Sequence, residues 1–184
     1  MIKIEKHIIT GCLNGERKAQ RELFAKTSNY VYGVIFKYVK DPEYTQDILQ
    51  ETFVKVYTKM HQYDSSKSAI TTWMHSIAVR SAINHLRKRN NYFLDIEDSG
   101  AASTGAVGNT GLESLEAEHI LNMITQLPEI QRIIFNLSVI EGYSHREISE
   151  QLDIPEATSR SYLSRAKTAL KNKIESMPFK MIRS

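Results

Sequence analysis

Residues 93–111 constrain the rest of the chain most. They hold Gly100, Gly105, Gly108 and Gly111 among Ala, Ser, Thr and Asn, with almost no periodic apolar side chains. Such a stretch cannot bury a face, so it reads as a flexible linker. A 184-residue chain cut there leaves an N-terminal domain over 1–92 and a C-terminal one over 112–184, each able to bury a modest core. Only 4 prolines and 8 glycines occur in the whole chain, several of them in the linker, so the flanking pieces favour helix. The predicted fold class is all-α: two small helical domains on a tether.

Apolar spacing supports this. Leu23, Phe24, Val31, Val34, Ile35, Tyr38 and Val39 recur at helical intervals and stop near Asp41 and Pro42. Leu49, Phe53, Val56 and Met60 predict a second helix burying one stripe, and a third is expected over about 71–89. Beyond the linker, Leu115, His119 or Ile120, Met123 and Leu127 predict a helix ending at Pro128, followed by one carrying Ile130, Ile133, Ile134 and Leu137. Glu141, Gly142 and Tyr143 end that helix. Ser144-His145-Arg146-Glu147 then has capping-box spacing and starts a short helix over 145–152. Asp153, Ile154 and Pro155 form a turn before a long helix over 156–174, which completes a helix-turn-helix pattern.

Charge is partitioned. Residues 1–92 carry 15 Lys and Arg against 8 Asp and Glu, 93–111 carry three acids and no base, and 112–184 carry 9 bases against 10 acids. Within the outer pieces lie two acid-free stretches. Between Asp64 and Asp95 the charges are Lys67, Arg80, Arg87, Lys88 and Arg89; between Glu156 and Glu175 they are Arg160, Arg165, Lys167, Lys171 and Lys173. Each is a candidate basic patch. In the first, Trp73, Ser76, Arg80, Asn84 and Arg87 share one helical sector. A ring with guanidinium groups beside it suits unpaired nucleic acid, where bases stack and cations track phosphates. Trp73 as a core anchor beside solvated arginines is the plainer alternative. In the second, Leu163, Ala166, Leu170 and Ile174 form the apolar side, while Ser161, Ser164, Arg165 and Thr168 lie opposite, flanked by Arg160 and Lys171. Small hydroxyls permit close approach to a groove, and arginine reads guanine edges.

Several classes are disfavoured. The longest apolar runs fall far short of the roughly 20 residues that cross a bilayer, and the start lacks the pattern of a secretory signal, so a cytoplasmic location is expected. Cys12, the single cysteine, can form no internal disulfide. Six scattered histidines include no His-x-x-x-His pair, and there is no phosphate-cradling glycine loop or Gly-flanked serine, so neither an enzyme nor a cofactor or metal is expected.

These residues resemble the extracytoplasmic-function (ECF) group of bacterial sigma factors over nearly the whole chain. Asp41-Pro42-Glu43-Tyr44 through Asp47-Ile48-Leu49-Gln50-Glu51-Thr52-Phe53 looks like the segment that grips core RNA polymerase. Thr72-Trp73-Met74 with Ile77-Ala78 and Leu86-Arg87 is similar to the helix that melts and reads the −10 element. Leu127-Pro128, Gln131-Arg132, Glu141 to Ser144 and Glu147 to Ser149 resemble the −35-reading domain, and Ala157-Thr158 through Ser164-Arg165-Ala166 its recognition helix.

The resemblance implies polymerase contact through Asp47, Gln50 and Glu51. It implies −10 contact and melting through Trp73, Ser76, Arg80, Asn84, Arg87 and Lys88, with residues 64–71 as a base-capturing loop. It implies −35 contact through Thr158, Arg160, Ser161, Ser164, Arg165, Lys167 and Lys171. The partners implied are core RNA polymerase, promoter DNA and an anti-sigma factor, often membrane-bound in the family, with no insertion of this chain itself. Arg80 and Asn84 stand where many members have Asn and then Asp, and Ser159 stands where Val commonly follows Thr; these departures bear on the promoter read, not on the fold. A dimeric helix-turn-helix regulator that binds an operator alone would share the C-terminal pattern without needing the acidic helix or the Trp73 stripe; a protein-interaction adaptor is the third class.

Overall fold

Helix is the only regular structure among the described residues, 2–89 and 115–176, of this computed structural model. The chain divides into two compact units, Met1–Leu86 and Arg87–Ser184. The expected linker and the boundaries at 92 and 112 lie outside the described residues.

The N-terminal unit contains α1 (Lys6–Leu13), α2 (Arg17–Val39), α3 (Pro42–Thr58), a 3-10 turn (Met60–Gln62) and all but the last three residues of α4 (Ile70–Arg89). Sequence spacing did not reveal α1, whose eight residues are too few to show a repeating apolar face, nor the first two turns of α2. Gly15, at φ 75, reverses the chain between them, and Gly11 lets the two helices close: a Cβ there would meet Ala19 Cβ at 2.6 Å. Lys40 ends α2 in the left-handed region, its N–H bonded to Phe36 C=O. Asp41 then caps α3 by accepting from the Glu43 and Tyr44 amides, with Pro42 in the first turn.

The core joins Leu23, Val31, Ile35 and Tyr38 of α2 to Ile48, Leu49, Phe53 and Val56 of α3 and to Met74, Ala78, Val79, Ile83 and Leu86 of α4. Each large apolar side chain buried there contributes about 1.5–3 kcal/mol. Two expectations are corrected. Phe24 is 38% exposed, because it stands at the rim of the α2 stripe. Met60 is buried as expected but sits in the 3-10 turn, after α3 has ended.

The C-terminal unit contains α5 (Leu115–Thr125), α6 (Glu129–Phe135), a π turn (Asn136–Ile140), α7 (His145–Leu152) and α8 (Glu156–Glu175). Met123, Ile124, Leu127, Ile133, Ile134, Leu137, Ile148, Leu152, Leu163 and Ala166 are its core. Ile120 and Ile174, expected on apolar faces, are 51% and 45% exposed: in α5 burial falls on Met123 and Ile124, one turn further on, and Ile174 lies in the last turn of α8. The π turn carries the chain one residue beyond regular winding, with Glu141 N–H bonded to Asn136 C=O, before Gly142 turns it at φ 78.

Candidate nucleic-acid interface

On α4 one side is fully buried, and the other exposes Ser76, Arg80, Asn84, Arg87 and Lys88. Neither arginine, nor Lys88, has a carboxylate partner among the described residues, and α4 itself contains no acid. Trp73, at the start of the stripe, is half-buried. Its ring lies 5.5 Å from that of Tyr63, whose hydroxyl donates to the Ser68 carbonyl at 3.0 Å. One part of the indole packs on Tyr63 and the rest meets solvent.

The loop before α4 is ordered by its own acid. The Asp64 carboxylate accepts from the Ser66 hydroxyl and amide at 2.7 and 2.9 Å, which lowers its pKa below the ordinary carboxylate value. Lys67 pairs with Asp64 at 3.8 Å, so this cation of the first acid-free stretch is partly neutralised. Ser65 and Ser66 remain exposed at the tip.

Asp47, Gln50 and Glu51 share the exposed face of α3. Glu51 is 3.8 Å from Lys55, and Lys55 also donates to Ser81 Oγ on α4 at 3.1 Å. Lys55 thus ties the acidic helix to the basic one, a link that no spacing rule announces because the partners lie 26 residues apart. Val54, 61% exposed, interrupts the same polar face with an apolar group.

In the C-terminal unit the capping box forms in both directions. Ser144 N–H and Oγ donate to Glu147 Oε2 at 2.8 and 2.7 Å, and Glu147 N–H donates back to Ser144 Oγ. These bonds hold the Glu147 carboxyl below its usual pKa. Asp153, at φ 56, closes α7, and Ser149 Oγ donates to Ile154 C=O at 2.6 Å across the turn. Pro155 is the residue preceding α8 rather than part of its first turn.

Ser161, Ser164, Arg165 and Lys167 are exposed along α8, and Thr168 donates back to Ser164 C=O. Thr158 is half-buried. Arg160 pairs with Glu156 and Lys171 with Glu175 at 3.7 Å, so the two outer cations are tied to acids at the helix ends. Arg165 and Lys167 have no acidic partner among the described residues; the Arg165 guanidinium lies over the Tyr162 ring at 5.6 Å.

Sequence reasoning missed one contact at the heart of this motif. Ser159 is 0% exposed, and its Oγ is 2.9 Å from His145 Nδ1, joining the first turns of α7 and α8. The departure from the family pattern at 159 thus has a local partner, and a histidine at the first position of the short helix was its only signal.

The family model for Sigma-70 region 2 matches residues 23–92, and that for Sigma-70, region 4 matches 117–170. The chain is 31% identical over 172 residues to the ECF RNA polymerase sigma-E factor of Haemophilus influenzae, covering 88% of this chain and 90% of that one. It is 27% identical over 177 residues to the RNA polymerase sigma-H factor of Pseudomonas aeruginosa (90% and 91%) and 28% identical over 151 residues to the ECF RNA polymerase sigma factor SigM of Bacillus subtilis (82% and 91%).

Proposed function

The chain belongs to the ECF sigma factors of the sigma-70 family, and on that premise we propose that it binds core RNA polymerase and directs promoter-specific initiation through the two faces described above. The observation that carries this reading is the pair of cationic faces left without internal acids, Arg80, Arg87 and Lys88 on α4 and Arg165 and Lys167 on α8. A cation already held by a carboxylate gains little from a phosphate, whereas an open one releases condensed counterions when it binds.

In this reading α8 enters a major groove at the −35 element. Arg165 and the Ser161 and Ser164 hydroxyls address base edges, and Arg160, Lys167 and Lys171 address phosphates. Thr158, half-buried at the start of α8, contacts the backbone. The α4 stripe takes the −10 element after melting: Trp73 stacks on a base, Ser76 and Asn84 bond to it, and Arg80, Arg87 and Lys88 follow the strand. The 64–71 loop holds an extruded base. Asp47, Gln50 and Glu51 form charge-assisted bonds to a basic polymerase surface. The work is recognition and strand separation, with no covalent step assigned to this chain, and it takes place in the cytoplasm. An anti-sigma factor that covers the α3 face, whether soluble or anchored in the membrane, is the regulatory partner this function calls for; among the described residues no helix of this chain is long and apolar enough to cross a membrane.

The test is transcription by core polymerase with and without the protein. Added protein should yield discrete transcripts from a subset of promoters. Protection of a palindromic duplex site by the protein alone, with no gain in transcription, would instead establish the dimeric regulator.

A further inference from the structure

Where α2 begins and α3 ends, the N-terminal unit has an open groove of about 370 Å³ lined by Arg17, Gln20, Arg21, Phe24 and Tyr57. Its floor is aromatic. The Phe24 ring lies 4.6 Å from Phe53, and Phe53 lies 5.9 Å from Tyr57, so three rings run in series with Phe24 open to solvent. The Tyr57 hydroxyl donates to the Gln20 carbonyl at 2.8 Å, which fixes that ring. Burial pushes its pKa up to about 12, so the floor carries no negative charge near neutral pH.

The rim is cationic and unneutralised. Arg17 and Arg21 are both exposed, four residues apart on one face, and neither has an ion-pair partner among the described residues. Neighbouring acids are engaged elsewhere: Glu22 faces His7, Glu5 pairs with Lys26, and Glu16 accepts from Asn14. Like charges at this spacing oppose helix formation, and the first turn of α2 holds no acid to offset them. Local rules are broken chiefly at functional sites, and an anion arriving from outside would relieve this conflict.

Guanidinium groups beside open rings match a polyanion with flat faces, in which phosphates bond to arginine and a base lies on the aromatic floor. An acidic peptide would satisfy the arginines and leave the rings without a counterpart. The position favours the same occupant. Tyr57 precedes Tyr63, the residue packed on Trp73, by six residues, at most about 20 Å of chain. We propose that this groove seats a nucleotide of the unpaired promoter strand, extending the contact made by the α4 stripe. The inference rests on the reading that the N-terminal unit binds unpaired promoter DNA.

The test uses the full chain assembled with core polymerase and a fluorescein-labelled promoter fragment carrying a pre-formed mismatch bubble. The double variant Arg17→Ala/Arg21→Ala should bind it about tenfold more weakly, and the log–log salt slope should fall by about 1.4, the share of two single-strand phosphates. Phe24→Ala should weaken binding with the slope unchanged, and Phe24→Trp should restore it. Affinity for a fully paired −35 fragment should not move. Trp73→Ala serves as the control. If it weakens bubble binding while the arginine variant does nothing, the groove inference fails and the function stands; if neither has an effect, the reading beneath it fails too. Weaker assembly of the double variant with core polymerase in the absence of DNA, with bubble affinity unchanged once assembled, would assign the groove to an acidic protein surface and overturn the proposal.

Discussion

Replacing Ser159 tests whether the junction of α7 and α8 is held by a specific polar bond or by apolar packing alone. Ser159 is wholly buried, and its hydroxyl meets His145 Nδ1 at 2.9 Å. Ser159→Ala removes one internal hydrogen bond, worth about 1 kcal/mol net, and leaves a half-buried imidazole nitrogen without its partner, which brings the loss to about 1–2 kcal/mol. For a unit of this size each kcal/mol lowers Tm by about 4–8 °C. The only tryptophan, Trp73, lies in the other unit. Its fluorescence transition should stay in place, while the C-terminal unit's share of the 222 nm circular dichroism melt moves down by roughly 5–15 °C. A cycle with His145→Ala should show a coupling of about 0.5–1.5 kcal/mol. Ser159→Val should be destabilising as well, although it adds apolar volume to a buried site, because it offers the imidazole no bond. Strictly additive single and double variants, or a Ser159→Ala protein as stable as the parent, would refute the reasoning.

Other substitutions probe the interfaces and packing. Arg165→Ala should weaken binding of polymerase-assembled protein to its −35 duplex by about 1–3 kcal/mol, whereas Arg160→Ala, already tied to Glu156, should cost clearly less; equal losses in a competition assay would contradict the proposed split. The Glu147 carboxyl has a depressed pKa in the fold, so its stabilising share is present above the ordinary value near 4.5 and disappears as pH falls through the folded value. Glu147→Gln should therefore flatten part of the acid limb of the C-terminal melting curve, and an unchanged pH profile would exclude that share. Gly11→Ala places a methyl group 2.6 Å from Ala19 Cβ and should cost about 1–3 kcal/mol by prising α1 from α2. Ala19→Gly in the same chain should recover most of that loss, as read by urea denaturation.

The legible parts of the fold are those written in local chemistry. The 145–152 helix was readable to the residue because its capping box lies within four consecutive positions and Asp153 and Pro155 stop it. The buried rows of α2 and α3 were readable because a stripe of period 3.6 needs only one helix to be seen. What stayed hidden depends on partners distant in sequence. No feature of Lys6–Leu13 marks it as helix until Gly11 meets Ala19, and Lys55 is one of many lysines until Ser81 is placed beside it. Ile120 and Ile124 lie one turn apart on nearly the same face, yet Ile120 is exposed and Ile124 buried, a difference set by where the other helices pack. For the candidate site, one-helix faces were again legible: Ser76, Arg80, Asn84 and Arg87 are exposed together. Which cations remain open was not, since that depends on where every acid goes.

That last point bears on how charge should be weighed in a chain like this. The C-terminal region has ten acids against nine bases, a balance that by itself argues against a nucleic-acid surface. Five of those acids, however, are spent locally among the described residues. Glu129, Glu147 and Glu156 lie in the first turns of α6, α7 and α8, where they oppose the positive helix ends. Glu150 pairs with Arg146, and Glu175 with Lys171. Screening limits each charge to roughly 8 Å at physiological salt, so an acid at a distant helix start does not cancel a cation in mid-helix. Arg165, two turns in from Glu156 and more than two from Glu175, sits where neither terminal carboxylate reaches it. Its charge is therefore not cancelled by the acids at the helix ends, whatever the total for the unit.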